Sequence, residues 1–141
     1  MSQPIVLVIF YSRFGTTEKL ALAAAVGAVQ ERALIRLRRL PDLNPARVIE
    51  EFPEARETLL RMHKEYVAPA EADVLAADAI IFATPPDLKT SDDWKEHLDL
   101  LARLRSEGKL EGKIVAVLGP GDATEEGRRV AAMVREVKKP G

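Results

Sequence analysis

Ile5 to Phe10 reads IVLVIF, an unbroken run of six apolar residues, and it constrains the fold more than any other feature of the chain. A strand with one wet face alternates apolar and polar residues. A continuous run needs both faces covered, as in the middle of a parallel sheet. The run stops at Tyr11-Ser12-Arg13-Phe14-Gly15-Thr16-Thr17, and a helical pattern starts at Glu18. Strand, turn and helix therefore follow in order, and in parallel sheets such junctions line the ligand crevice.

The same unit recurs along the chain. From Glu18 to Arg32, Leu22, Val26 and Val29 fall on one stripe expected to face inward, with alanines beside them and Glu18, Lys19, Gln30 and Glu31 outside. Ala33 to Leu40 alternates Ile35 and Leu37 with Arg36 and Arg38, the pattern of an edge strand whose arginines, Arg39 included, discourage edge-to-edge pairing. Pro41 to Pro69 is less regular and is read as a helical excursion over 41–70. Pro53 stands there at a first helical position, with Phe52, Leu59, Leu60, Met62, His63 and Tyr66 at roughly helical spacing. One or two helical turns over Glu71 to Ala77 lead into a third buried strand, Asp78-Ala-Ile-Ile-Phe-Ala, that Pro85 and Pro86 end. Ser91 caps a helix whose stripe is Trp94, Leu98, Leu101 and Leu104, and Gly108 ends it. Lys113 to Leu118 forms a fourth strand, and Ala123, Val130, Ala131, Val134 and Val137 mark a last helix.

Strand and helix thus alternate four times, which predicts an α/β three-layer, doubly wound sandwich of short parallel strands; in the order 2-1-3-4 expected here, one of the orders such sheets adopt, the crevice opens between the first and third strands. A length of 141 residues suits a single domain over 1–141. A net charge of −1 leaves no basic footprint for nucleic acid or an anionic membrane. The start MSQPIVLVIF has neither a basic leader nor a membrane-spanning length, which implies a cytoplasmic protein. With no cysteine there is no thiolate nucleophile or thiolate metal site, and redox chemistry needs a bound cofactor.

Ser12 to Thr17 stands where free helix amides attract an anion and small hydroxyls donate to it, although the same residues also serve as ordinary helix caps. No G-x-x-x-x-G-K-[ST] is present, nor a G-x-G-x-x-G followed by an acid, and the first strand ends without the acidic pair that would hold Mg²⁺. His63 and His97 lack metal-ligand spacing, so no metal site is expected, and both are read as partly buried helix residues. Trp94 is assigned to core packing, and the Asp92-Asp93 and Glu125-Glu126 pairs to helix-dipole compensation. No side chain is an evident general acid or base, so catalytic residues stay unassigned.

YSRFGTTEKLALAAAVGA resembles the phosphate loop and first helix of flavodoxin-like proteins, and MHKEYVAPAEADVLAADAIIFATPP resembles the approach to the third strand in WrbA-type NAD(P)H:quinone oxidoreductases. DWKEHLDLLARLRSEGKLEGKIVAVLG is similar to the next helix and strand of that group, so the likeness covers most of residues 5 to 119. It implies a flavodoxin-like protein without the usual fifth strand, binding FMN and taking hydride from NAD(P)H to a quinone-like acceptor. It also implies that Ser12, Arg13, Phe14, Gly15, Thr16 and Thr17 hold the phosphate. Thr84, Pro85, Pro86 and Asp87 would edge the ring, and Gly119, Pro120 and Gly121 would close its far side.

The chain departs from that pattern at Pro86-Asp87-Leu88-Lys89-Thr90, where the group has T-R-F-G-N, and at Pro120 to Glu126, where it has a glycine-rich hydroxyl loop. These departures motivate an alternative, a non-enzymatic binding or interaction module on the same scaffold. A one-electron flavodoxin is a further alternative, which the net charge of −1 disfavours because such carriers need a strongly acidic face. An apolar fourth strand at a sheet edge predicts a homo-oligomer, most simply a two-fold dimer including Ala123 to Val137.

Overall fold

The computed structural model describes residues 3–12, 15–42, 44–83 and 92–118, with side chains described except at 92–98 and 118. Four parallel strands, β1 (Ile5–Phe10), β2 (Leu34–Arg39), β3 (Ala79–Ala83) and β4 (Ile114–Leu118), form one sheet in the order β2-β1-β3-β4. The expected order is found. Phe10 stands level with Arg39 on one side and Ala83 on the other, and Ala83 with Leu118, so all four strands end at one edge. The direction of strand addition reverses at β1, which places the crevice of an open α/β sheet beside the chain leaving Phe10.

β1 is buried on both faces from Val6 to Phe10, as its continuous apolar run requires. Val6, Val8 and Phe10 join one core with α1 (Thr16–Gln30) and the excursion; Leu7, Ile9 and Tyr11 join a second core with α4 (Glu71–Ala76) and α5 (Asp92–Ser106). These are the three layers. The excursion contains two helices, α2 (Pro45–Glu51) and α3 (Arg56–Glu65), joined through a 3-10 turn at Pro53–Ala55. Asn44 caps α2 by accepting a hydrogen bond from the Arg47 N–H at 3.1 Å, with Pro45 in the first turn. Leu59 and Met62 of α3 are fully buried, so the excursion belongs to the core beside α1. Leu60, on the same expected stripe, is instead exposed.

Two further expectations from the sequence are corrected. Leu22, Val26 and Val29 of α1 do not face inward: they are 42%, 56% and 57% exposed, and the buried face carries Leu20, Ala21, Ala24, Gly27 and Ala28. Small side chains let the helix axis approach the sheet closely, and that packing outweighs the burial of the larger residues on the other side. Glu18, expected outside, is buried.

The second correction concerns the arginines of β2. Arg36 is exposed, as an edge guard should be. Arg38 instead reaches Asp73 of α4 through a two-pronged ion pair at 3.1 and 3.2 Å, and Arg39 is only 3% exposed. Burial, the largest single influence, would raise the Asp73 carboxyl. The Arg38 guanidinium, the Ala70 N–H and the more distant Arg36 charge together outweigh it and hold the group below the usual carboxylate range.

α5 ends at Ser106, and Gly108 follows at φ +74°, the left-handed backbone that a helix stop favours in glycine. Val115 and Val117 of β4 are exposed. Ser91, the side chains of Trp94, Leu98 and His97, the last helix and the proposed contact over Ala123 to Val137 lie outside the described residues. Among the described residues no helix is long and apolar enough to cross a membrane.

Candidate functional site

The candidate site is built where β1 hands over to α1. Gly15 is the residue before the helix and has φ +91°, a backbone that glycine adopts without the steric cost borne by other residues. Its N–H donates to Ser12 Oγ at 3.0 Å, and its carbonyl accepts the first helical bond, from the Lys19 N–H at 3.1 Å. Helix geometry gives the amides of Thr16, Thr17 and Glu18 no acceptor within the helix. With the positive end of the helix dipole behind them, they form a donor set suited to a phosphate, and the exposed Thr16 adds a hydroxyl. Ser12 and Thr17 are buried.

Of the residues expected around a phosphate, Ser12, Gly15, Thr16 and Thr17 thus come together, while Arg13 and Phe14 lie outside the described residues. Thr84, Pro85, Pro86 and Asp87, and likewise Gly119, Pro120 and Gly121, lie outside them as well. The last residues of β3 and β4, Ala83 and Leu118, end in line with Phe10, at the sheet edge that Ser12 occupies. No cluster of three or more His, Asp or Glu side chains suits a metal ion among the described residues.

The surroundings of this turn hold residues that no local pattern in the sequence singles out. Arg39, at the end of β2, donates from Nη2 to the Ser12 carbonyl at 2.8 Å and to Asp42 Oδ2 at 3.1 Å. Its Cζ lies 5.4 Å from the centroid of the Tyr11 ring, within cation–π range. The Asp42 side chain is fully buried; it accepts from the Tyr11 hydroxyl, and His63 Nε2 of α3 stands 3.3 Å from Oδ2. Arg39 Nε is buried without a hydrogen-bond partner among the described residues. His63 therefore does contact an acid, in a network that reaches the Ser12 carbonyl.

On the other flank, Glu18 of α1 accepts from Arg61 Nη2 and Nη1, at 2.6 and 2.9 Å, and from the Tyr66 hydroxyl at 2.6 Å. Tyr66 in turn packs edge-to-face on Phe10, with ring centroids 4.9 Å apart. Arg61 hydrogen bonding holds the Glu18 carboxyl below its ordinary value of 4.5; burial opposes the shift and the Tyr66 hydroxyl adds to it. Burial first, and then the bond to Glu18, push the Tyr66 phenol well up, so it stays a donor.

A folded-state value below the unfolded one means that the unfolded chain takes up the proton first as pH falls. The Glu18 contribution is therefore complete above about 4.5 and is lost as pH drops through the lower folded-state value. In urea unfolding at a series of pH values, Glu18→Gln should be less stable than the parent at pH 7, and the gap should close in that acid range. A gap that is constant with pH would remove the ion pair from the account.

The comparisons with known proteins agree with this architecture. The model of the family described as Flavodoxin matches residues 8–139, and the chain belongs to that family. It is 33% identical over 129 residues to an NAD(P)H dehydrogenase (quinone) of Archaeoglobus fulgidus, covering 91% of this chain and 67% of that protein. With the NAD(P)H dehydrogenase (quinone) 3 of Rhizobium meliloti it shares 35% identity over 112 residues, 79% of this chain and 50% of the relative. The chain spans half to two thirds of the length of these curated relatives. Among solved structures, a flavodoxin of Streptococcus pneumoniae TIGR4 superposes with a TM-score of 0.54 at 21% identity, over 94% of this chain and 73% of that one. A flavodoxin from the domain Archaea gives 0.51 at 13% identity, over 93% and 99% of the two chains. At these identities the structural likeness speaks for the fold.

Proposed function

We propose that the protein binds FMN and acts as an NAD(P)H-dependent oxidoreductase with a quinone-like acceptor. The observation that carries this reading is the glycine-turned, hydroxyl-bearing start of α1 at the point where the strand order reverses. The names of the Archaeoglobus fulgidus and Rhizobium meliloti relatives support the reaction class.

In this reading Ser12, Arg13, Phe14, Gly15, Thr16 and Thr17 hold the phosphate, with backbone amides as the main donors. The segments at Thr84 to Asp87 and Gly119 to Gly121 flank the ring. When bound, the flavin would supply hydride transfer, chemistry that belongs to the cofactor and to no amino-acid side chain. The task of the protein's own residues is to bind, orient and shield.

The test is to saturate the purified protein with FMN and follow flavin fluorescence, melting temperature and quinone-dependent oxidation of NADH and NADPH. Quenching, a raised melting temperature and turnover are the expected results. The departure at Pro86 to Thr90 favours one second reading, a binding module without flavin turnover. FMN binding without NAD(P)H oxidation would select that module, and no binding at saturating FMN would refute the flavin reading.

A further inference from the structure

The excursion over 41–70 touches the β1–α1 turn at several separate points. Asp42 fixes the Arg39 guanidinium that grips the Ser12 carbonyl, and the Val67 carbonyl accepts from the Arg39 N–H at 3.0 Å, so the excursion pins both ends of that arginine. Arg61 and Tyr66 grip Glu18 in the first turn of α1. Thr58 borders Gly15: a Cβ built on that glycine would lie 3.6 Å from Thr58 Cγ2 and 3.6 Å from Glu18 Oε1.

That last distance raises an electrostatic problem. A buried carboxylate stands beside a turn whose first helical amides have no acceptor within the helix, and a phosphate approaching them would be repelled. Arg61 removes the conflict by pairing with both Glu18 oxygens from a position 44% exposed, with Glu65 holding its other side at 2.8 Å.

We propose that the excursion is the positioning element of the phosphate turn, fixing its shape through Asp42 and Arg39 and cancelling the Glu18 charge through Arg61, so that the turn accepts the phosphate of FMN. The proposal rests on the FMN reading for the identity of the ligand. It makes Arg39, Asp42 and Arg61 positioning residues: Arg39 holds the Ser12 carbonyl, Asp42 acts through Arg39, and Arg61 holds Glu18 in the first turn of α1. It also predicts a signature that a general scaffold role lacks: the effect should fall on the phosphate end of the ligand and leave the ring end unchanged.

Arg61 is exposed enough for Arg61→Met to fold, and titrations with FMN and with riboflavin separate the two ends of the ligand. Arg61→Met should weaken FMN about tenfold or more, because an unpaired Glu18 carboxylate would then repel the phosphate, with riboflavin affinity essentially unchanged. The double variant Glu18→Gln with Arg61→Met removes the unpaired charge and should recover most of the FMN affinity. Equal loss for both ligands, or no loss for FMN, would overturn the proposal while leaving FMN binding by the parent intact. Amide exchange supplies a readout that needs no flavin. In Arg61→Met and Arg39→Lys, exchange at Gly15 and Lys19, whose N–H groups donate to Ser12 Oγ and the Gly15 carbonyl, should quicken while β1 and β3 keep their protection. Should the parent bind no FMN, the flavin reading falls and exchange alone decides: unchanged protection at Gly15 and Lys19 would overturn the positioning role too.

Discussion

Asp42→Ala is expected to destabilise the protein by about 3–5 kcal/mol, the usual consequence of breaking a buried ion pair from one side. The magnitude follows from burial: the Arg39 and Asp42 side chains are 2% and 0% exposed, so removing the carboxylate strands a guanidinium that water cannot reach. It also leaves the Tyr11 hydroxyl and His63 without the acid they share. Because domains of this size are stable by only about 5–15 kcal/mol, the loss would be evident as an earlier urea midpoint. The double variant Arg39→Met with Asp42→Leu should recover a substantial part of it, since an apolar pair of similar volume carries no desolvation penalty. A single variant as stable as the parent would mean that the pair is solvated in solution, and the grip on Ser12 would lose its foundation.

Leu59→Ala should cost about 2–5 kcal/mol, the range for emptying a fully buried leucine site. Leu59 lies in α3 and shares a core with Val8, Phe10, Leu20 and Ala24 of β1 and α1. The substitution therefore asks whether the excursion is integral to the sheet's first core or an appendage. Denaturant unfolding should show one cooperative transition shifted to lower urea. An unaffected midpoint, or a separate early transition carrying the whole loss, would make the excursion independent of the core.

Much of the sheet was legible in the sequence because its central strands are continuous apolar runs. IVLVIF and AIIFA can be buried on both faces in few other ways, and the strand–helix alternation then restricts the topology to a parallel order. The orientation of α1 was not legible in the same way. Both of its sides are apolar, and the stripe with the larger side chains, Leu22, Val26 and Val29, gives the stronger periodic signal. Alanines won the interior because close approach to a sheet selects size over hydrophobicity.

At the site, the turn itself could be read from its glycine and hydroxyls, but its supports could not. Arg39 sits at the end of a strand already guarded by arginines, and its main acceptor is a backbone carbonyl 27 residues away, which has no sequence signature. Glu18 looks like any acid in a first helical turn, and its partners Arg61 and Tyr66 are 43 and 48 residues distant. Such contacts arise only when the excursion folds back over the turn.

A crystal structure of the protein grown with saturating FMN shows directly whether the β1–α1 turn holds the phosphate. The phosphate should lie over the amides of Thr16 and Thr17, with Gly15 in its left-handed conformation and Arg39 still donating to the Ser12 carbonyl. A phosphate bound elsewhere on the protein, or a turn left empty while FMN occupies another cleft, would contradict that placement.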